Sequence, residues 1–164
     1  MRIIGLAGWS GAGKTTLLKR LIPALTFAGF SVSTIKHAHH NFDVDTPGKD
    51  SWEHRQAGAR EVLIGSSVRW ALMHELREDV EPGLSDLLRR LSPVDFVLVE
   101  GFKRGDHPMI EVHRQANGKP FLYPETPSII AVASDASVAG SIPQVHLDDI
   151  PGVVTLVTTH AAPV

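Results

Sequence analysis

An apolar run, Ile3-Ile4-Gly5-Leu6-Ala7, passes directly into Gly8-Trp9-Ser10-Gly11-Ala12-Gly13-Lys14-Thr15-Thr16. Leu17, Leu18, Leu21, Ile22 and Leu25 then recur at helical spacing. Few folds accommodate that order. A continuous apolar run closed by glycine reads as a strand buried on both faces of a parallel sheet. Gly8-x-x-x-x-Gly13-Lys14-Thr15 is a complete phosphate-binding loop in its expected setting, between a buried strand and an amphipathic helix. Its glycines let backbone N–H groups turn inward around phosphates, and the helix N-terminus adds a favourable dipole. Lys14 is placed to reach the outer phosphates, and the Thr15 hydroxyl to hold Mg²⁺.

The remaining chain alternates strand and helix patterns. Gly29 is expected to end the first helix, and Pro23 to kink it. Ser31–Ile35 reads as a strand, Lys49–Arg60 as a helix and Glu61–Gly65 as a strand. Val68–Leu76 reads as extended, with Trp70 and Leu72 on one face. Leu84–Leu91 reads as a short amphipathic helix, and Val94–Val99 as a second buried strand that stops at Glu100-Gly101-Phe102. Ile110–His113 and Ile129–Ala133 are further strand candidates, separated by a loop holding Asn117-Gly118 and Pro120, Pro124 and Pro127, and Gly152–Thr159 reads as strand or helix, its Val and Thr favouring strand. The predicted fold is α/β of the P-loop NTPase type. It has a mostly parallel sheet, flanking helices and a small extended insertion around residues 61–76. At 164 residues a single nucleotide-binding domain, 1–164, is expected.

Composition removes some alternatives. A net charge of −2 with mixed signs gives no basic face for a nucleic-acid backbone. With no cysteine there is neither a disulfide framework nor a thiolate metal site, so any metal must use histidine and carboxylate. The apolar start is too short for a signal peptide or a membrane span, so a cytoplasmic protein without membrane association is expected.

A phosphate loop needs a second carboxylate on the magnesium side, at the end of another buried strand. Ligands in open parallel sheets sit beyond the carboxyl ends of the strands, which selects Glu100 and leaves Asp95 as a turn residue at the strand's start. For the base, Ala133-Ser134-Asp135 stands where an Asn-Lys-x-Asp signature is absent. The Asp135 carboxylate can accept from the N1–H and exocyclic amine of guanine, or it can cap a neighbouring segment.

Histidines 37, 39 and 40, with Asp43 and Asp45, crowd the stretch after the second strand. Three readings stay open. They are a transition-metal site, a solvated polar loop, and an anion-binding loop in which Lys36 and His37 face the phosphates while His39 and His40 border the cleft. The sheet-edge position favours the last. Asp50 or Ser51 is expected to cap the following helix, although Lys49 and Asp50 could also face the phosphates.

GWSGAGKTTLL, TIKHAHH, DTPGKDSWEHRQAGA, RWALMHEL and DFVLVEGFK, in that order, resemble the molybdopterin-guanine dinucleotide biosynthesis protein B (MobB) family. The likeness runs from residue 3 to about 115, with ASD near 135 also similar. It implies a dimeric, cytoplasmic GTP-binding protein with weak Mg²⁺-dependent GTPase activity. Such a protein assists the guanylyltransferase that attaches GMP to molybdopterin, alongside other molybdenum cofactor assembly proteins. By the same resemblance Gly8, Gly11, Ala12, Gly13, Lys14, Thr15 and Thr16 bind phosphates, with Lys14 and Glu100 serving hydrolysis and Thr15 and Glu100 attending Mg²⁺. The strand-ending Glu-Gly also resembles GTPases that mature nickel enzymes. A metal-delivery GTPase using His37, His39 and His40 is therefore the main alternative. A small-molecule kinase, with Arg114 or Lys103-Arg104 as its basic lid, ranks last.

Overall fold

A computed structural model describes residues 1–38, 42–102 and 105–164. The chain divides into two compact units, Met1–His37 with Asp86–Val164, and Ala38–Ser85. In the first, β1 (Arg2–Ala7), α1 (Lys14–Phe27) and β2 (Val32–Lys36) follow the sequence pattern closely. Gly29, with φ of 90°, ends α1 as expected. Pro23 lies on the exposed side of α1, which continues through it to Phe27. Leu17, Leu21 and Leu25 are buried on the opposite side. Full burial of each such leucine contributes about 1.5–3 kcal/mol, enough together to outweigh the single backbone bond a proline removes.

The second unit holds α2 (Asp50–Gln56) and a hairpin of β3 (Glu61–Gly65) with β4 (Trp70–His74). This hairpin is the extended insertion predicted around 61–76. Val62 pairs with Met73 and both are buried, whereas Trp70 is 69% exposed and Leu72 43%. Helix α2 is shorter than expected, with Gly58 at φ 112° just past its end. It also lacks the expected cap, since Lys49 is the capping residue and makes no side-chain hydrogen bond. The Ser51 hydroxyl donates instead to Asp45 at 2.9 Å.

After α3 (Leu84–Leu88), the first unit resumes with β5 (Phe96–Glu100), β6 (Met109–His113), β7 (Ile129–Ser134) and β8 (Gln144–His146). Helix α4 (Ile150–His160) and β9 (Ala162–Pro163) close the chain. The main sheet runs β2-β5-β1-β6-β7-β8, all parallel, while β9 pairs antiparallel with the start of β1. Asp95 stands at the start of β5, where its carboxylate accepts from the Ser31 amide at 2.7 Å and the Ser31 hydroxyl at 2.6 Å. That is the turn role expected of it.

Gly152–Thr159 is helix and not strand. The Asp149 carboxylate accepts from the Gly152 amide at 3.0 Å, Pro151 occupies the first turn, and Val153, Leu156 and Val157 are buried. Spacing of i, i+3 and i+4 on one buried face overrides the β preference of Val and Thr. Helices α1 and α4 share one core with Ile4, Leu6, Ile110 and Val112, the residues on one face of β1 and β6. On the other face Ala7, Met109 and Ile129 pack with Leu122 and Tyr123.

Candidate functional site: the carboxyl edge of the parallel sheet

Strand β1 ends at Ala7 and α1 begins at Lys14, so Gly8–Gly13 form the turn between them. Gly8 has φ of 142°, and a Cβ there would stand 2.4 Å from the Val112 carbonyl oxygen. A side chain at this position would push the loop off β6. Gly13, with φ of 97°, caps α1 without a side-chain hydrogen bond, and the first turn carries no acidic residue. The helix N-terminus therefore presents its amides and positive dipole end with no acidic side chain of its own to offset them. The Lys14 ammonium donates to the carbonyls of Gly8 at 2.8 Å and Trp9 at 3.0 Å, which folds it back across its own loop. Ala12 is buried, while Thr15 and Thr16 are exposed on the first turn of α1.

Glu100 ends β5, beside both β1 and β2. In register it lies opposite Leu6 of β1 and Lys36 of β2. Its carbonyl accepts from the His37 amide at 2.8 Å, extending the ladder by one residue. The His37 ring stacks on Phe102 with centroids 4.6 Å apart. Lys36, His37 and Glu100 are thus brought together at the edge where β1 feeds the glycine loop. His39 and His40 lie outside the described residues, as do Lys103 and Arg104.

Asp43 and Asp45 have another occupation in the second unit. Asp43 pairs with Arg55 at 2.8 Å, Asp45 at 3.4 Å, and Glu75 completes the group at 2.9 Å. The Arg55 hydrogen bond holds the Asp43 carboxyl below its usual range, and Asp43, followed by Glu75, pushes the Arg55 guanidinium up. These acids are engaged by a guanidinium. No group of three or more His, Cys, Asp or Glu able to hold a metal ion occurs among the described residues.

Asp135 follows β7. One carboxylate oxygen accepts from the Gln115 amide at 2.7 Å and the other lies 3.6 Å from the Arg114 guanidinium. The carboxylate thus holds the start of the turn at Gln115–Asn117 and not the segment that follows it; there the Ser134 hydroxyl accepts from Ala136.

The segment from Arg114 to Tyr123, which sequence reasoning treated as a linking loop, lies against the glycine loop. The Asn117 side-chain amide donates to the Ser10 carbonyl at 3.0 Å, the Trp9 indole N–H donates to the Pro120 carbonyl at 2.9 Å, and the Lys119 ammonium sits 5.9 Å from the Trp9 ring centroid. Beneath the segment the fully buried Glu111 carboxylate accepts from the amides of Leu122 at 2.8 Å and Tyr123 at 2.9 Å. The His113 ring stacks on Phe121 at 3.8 Å and meets the Lys119 carbonyl at 3.0 Å. An acidic residue at an inward position of an apolar strand was the available signal for this anchor.

The donor set fits the groups that the motif implies. A glycine loop, a helix N-terminus without a side-chain cap and Lys14 suit phosphates. One hydroxyl and one carboxylate suit Mg²⁺, which keeps several waters and takes its remaining ligands from phosphate oxygens.

A family model for molybdopterin guanine dinucleotide synthesis protein B, MobB, matches residues 3–135. The chain belongs to this family. Among its MobB relatives, the molybdopterin-guanine dinucleotide biosynthesis adapter protein of Escherichia coli is 42% identical over 94% of this chain and 90% of its own length. The adapter protein of Haemophilus influenzae is 44% identical over 81% and 74%. A crystal structure of molybdopterin-guanine biosynthesis protein B superposes with a TM-score of 0.77 at 28% identity, covering 96% of this chain and 98% of that one. The Bacillus subtilis MobB structure matches over 100% of both chains with a TM-score of 0.77, and at 23% identity it speaks for the fold alone. The P-loop type of α/β fold read from the sequence is thus the MobB fold. No helix among the described residues is long and apolar enough to cross a membrane.

Proposed function

We propose that the chain is a GTP-binding adapter of molybdenum cofactor assembly, with weak Mg²⁺-dependent GTPase activity. It supports the guanylyltransferase that joins GMP to molybdopterin. Membership of the MobB family and the names of its relatives support the pathway. Nucleotide binding is supported by one arrangement above all: Lys14 lies across the carbonyls of its own glycine loop while Glu100 closes the adjoining strand at the same edge. We further assign a cytoplasmic homodimer whose subunit is one nucleotide-binding domain over 1–164, in contact with molybdopterin and the guanylyltransferase.

In this reading the amides of Gly8, Gly11, Ala12, Gly13, Lys14, Thr15 and Thr16 and the dipole of α1 bind the phosphates. Lys14 moves from the loop carbonyls to the outer phosphates, exchanging two neutral acceptors for anionic ones. The Thr15 hydroxyl and Glu100 carboxylate hold Mg²⁺, which neutralises charge between the outer phosphates. Lys36 and His37 border the phosphate side, and Asp135 reads the guanine edge. The metal-delivery reading has less support, because Asp43 and Asp45 are engaged with Arg55 and His37 is stacked on Phe102.

Titration calorimetry of the whole chain with GTP and ATP, with and without Mg²⁺, tests the assignment. Lys14→Ala is expected to weaken GTP at least about tenfold. Glu100→Gln is expected to keep GTP bound and lower Mg²⁺-dependent turnover. An unchanged GTP affinity in Lys14→Ala would sink the nucleotide assignment. Stoichiometric zinc, nickel or copper binding that is lost on His37→Ala would favour metal delivery.

A further inference from the structure

Strand β6 runs beside β1, so the first residue past its end, Arg114, emerges next to the glycine loop. The Arg114 Nη2 and Nε atoms lie 3.6 and 3.8 Å from the position that a Cβ on Gly13 would take. The guanidinium therefore lies beside the residue that caps α1, in the space a side chain there would enter. That end of α1 already carries the positive dipole end and Lys14, with no acidic residue in its first turn. A second cation there is unfavourable unless an anion joins it. Of the carboxylates that feel its charge, Asp148 is paired with Arg20, and Asp135 stands 3.6 Å from Arg114, beyond hydrogen-bond range, with its other oxygen taken by the Gln115 amide. The Arg114 side chain is also 43% exposed, which leaves it room to turn.

Its backbone is held firmly by comparison. Glu111 anchors Leu122 and Tyr123 from below, and Asn117 and Pro120 bind the glycine loop from the side. Only a side-chain rotation is needed to redirect the charge. A guanidinium presents a rigid fork of N–H donors that matches phosphate oxygens.

We propose that Arg114 is a phosphate-directed cation of the nucleotide site, and that its approach to Asp135 is the resting arrangement of that site. This rests on the nucleotide assignment made above. When a nucleoside triphosphate binds, Arg114 turns to the phosphate chain. The Asp135 oxygen it faced becomes available to the N–H edge of the purine, while the other keeps Gln115. Filling of the phosphate site and reading of the base are then coupled through one side chain.

The experiment measures GTP binding by calorimetry and guanosine binding by ligand-observed NMR, for the full chain and for Arg114→Gln, Arg114→Lys and Lys14→Ala. Thermal melts confirm folding, and Arg114→Lys serves if the glutamine variant does not fold. Arg114→Gln is expected to weaken GTP at least about tenfold and to leave guanosine, which has no phosphate, no weaker. Arg114→Lys should recover part of the loss, and the salt dependence of GTP binding should flatten in Arg114→Gln. Equal weakening of GTP and guanosine would overturn the proposal, since Arg114 would then only order the Arg114–Tyr123 segment. Full GTP affinity in Arg114→Gln alongside loss in Lys14→Ala would overturn it alone. No effect of Lys14→Ala would overturn the parent assignment and this one together.

Discussion

A Cβ on Gly101 would stand 2.5 Å from the Cβ of His37, closer than any side chain could tolerate. The chain leaves the end of β5 by passing directly over the residue that follows β2, and it does so at φ 99°. Gly101→Ala should therefore strain the backbone by about 1–3 kcal/mol and push His37 away from Phe102. The melting temperature should fall, and on the function proposed above Mg²⁺-dependent GTP turnover should fall with it, because the displaced segment starts at Glu100. Unaltered melting and turnover would show that the junction has more room than this.

Glu111 is fully buried on β6, and its two oxygens hold the amides of Leu122 and Tyr123. Replacing it with leucine leaves both amides buried without an acceptor, at a cost of about 1–3 kcal/mol for each. Glu111→Gln keeps one acceptor oxygen and should cost less. Urea unfolding of the two variants should reproduce that order, and hydrogen exchange at Leu122 and Tyr123 should rise in both.

His107 is buried before β6, packed against Gly5, and neither ring nitrogen meets a hydrogen-bond partner among the described residues. Burial pushes its pKa below the ordinary 6.5, against a smaller opposing pull from Asp106. The folded chain then binds fewer protons than the unfolded chain below pH 6.5 or so, and stability falls as the pH drops from there toward the folded pKa. Melting temperature should decline on acidification through this window, and His107→Leu should flatten the decline. An identical acid profile in the variant would assign the effect to other groups.

Asp149 caps α4 through the Gly152 amide. Asp149→Ala should cost about 1 kcal/mol in urea unfolding. Circular dichroism should show a small loss of helix signal, which a strand at 150–160 could not give.

The glycine loop was legible because its spacing is local and each residue type has a direct chemical reason. Glu100 was separable from Asp95 by a rule about which end of a parallel strand faces ligand, and the Asp95 bonds to Ser31 agree with it. Helix α4 was misread because Val and Thr prefer strands, while its cap and its buried Val153, Leu156 and Val157 indicate the reverse. Strand β8 was missed because three residues, Gln144–His146, carry too little pattern to register. The Arg114–Tyr123 segment escaped for another reason. Its partners Trp9 and Ser10 are more than a hundred positions away in the chain, and no periodicity announces such a contact.

Trp9 gives the site an optical handle. Its indole belongs to the glycine loop and hydrogen-bonds to Pro120, so it sits on the seam between the loop and the Arg114–Tyr123 segment. The other tryptophans, Trp52 and Trp70, both fall in the Ala38–Ser85 unit. With those two changed to phenylalanine, a single emitter would remain on that seam, and its emission would follow each ligand's arrival in real time without any added label.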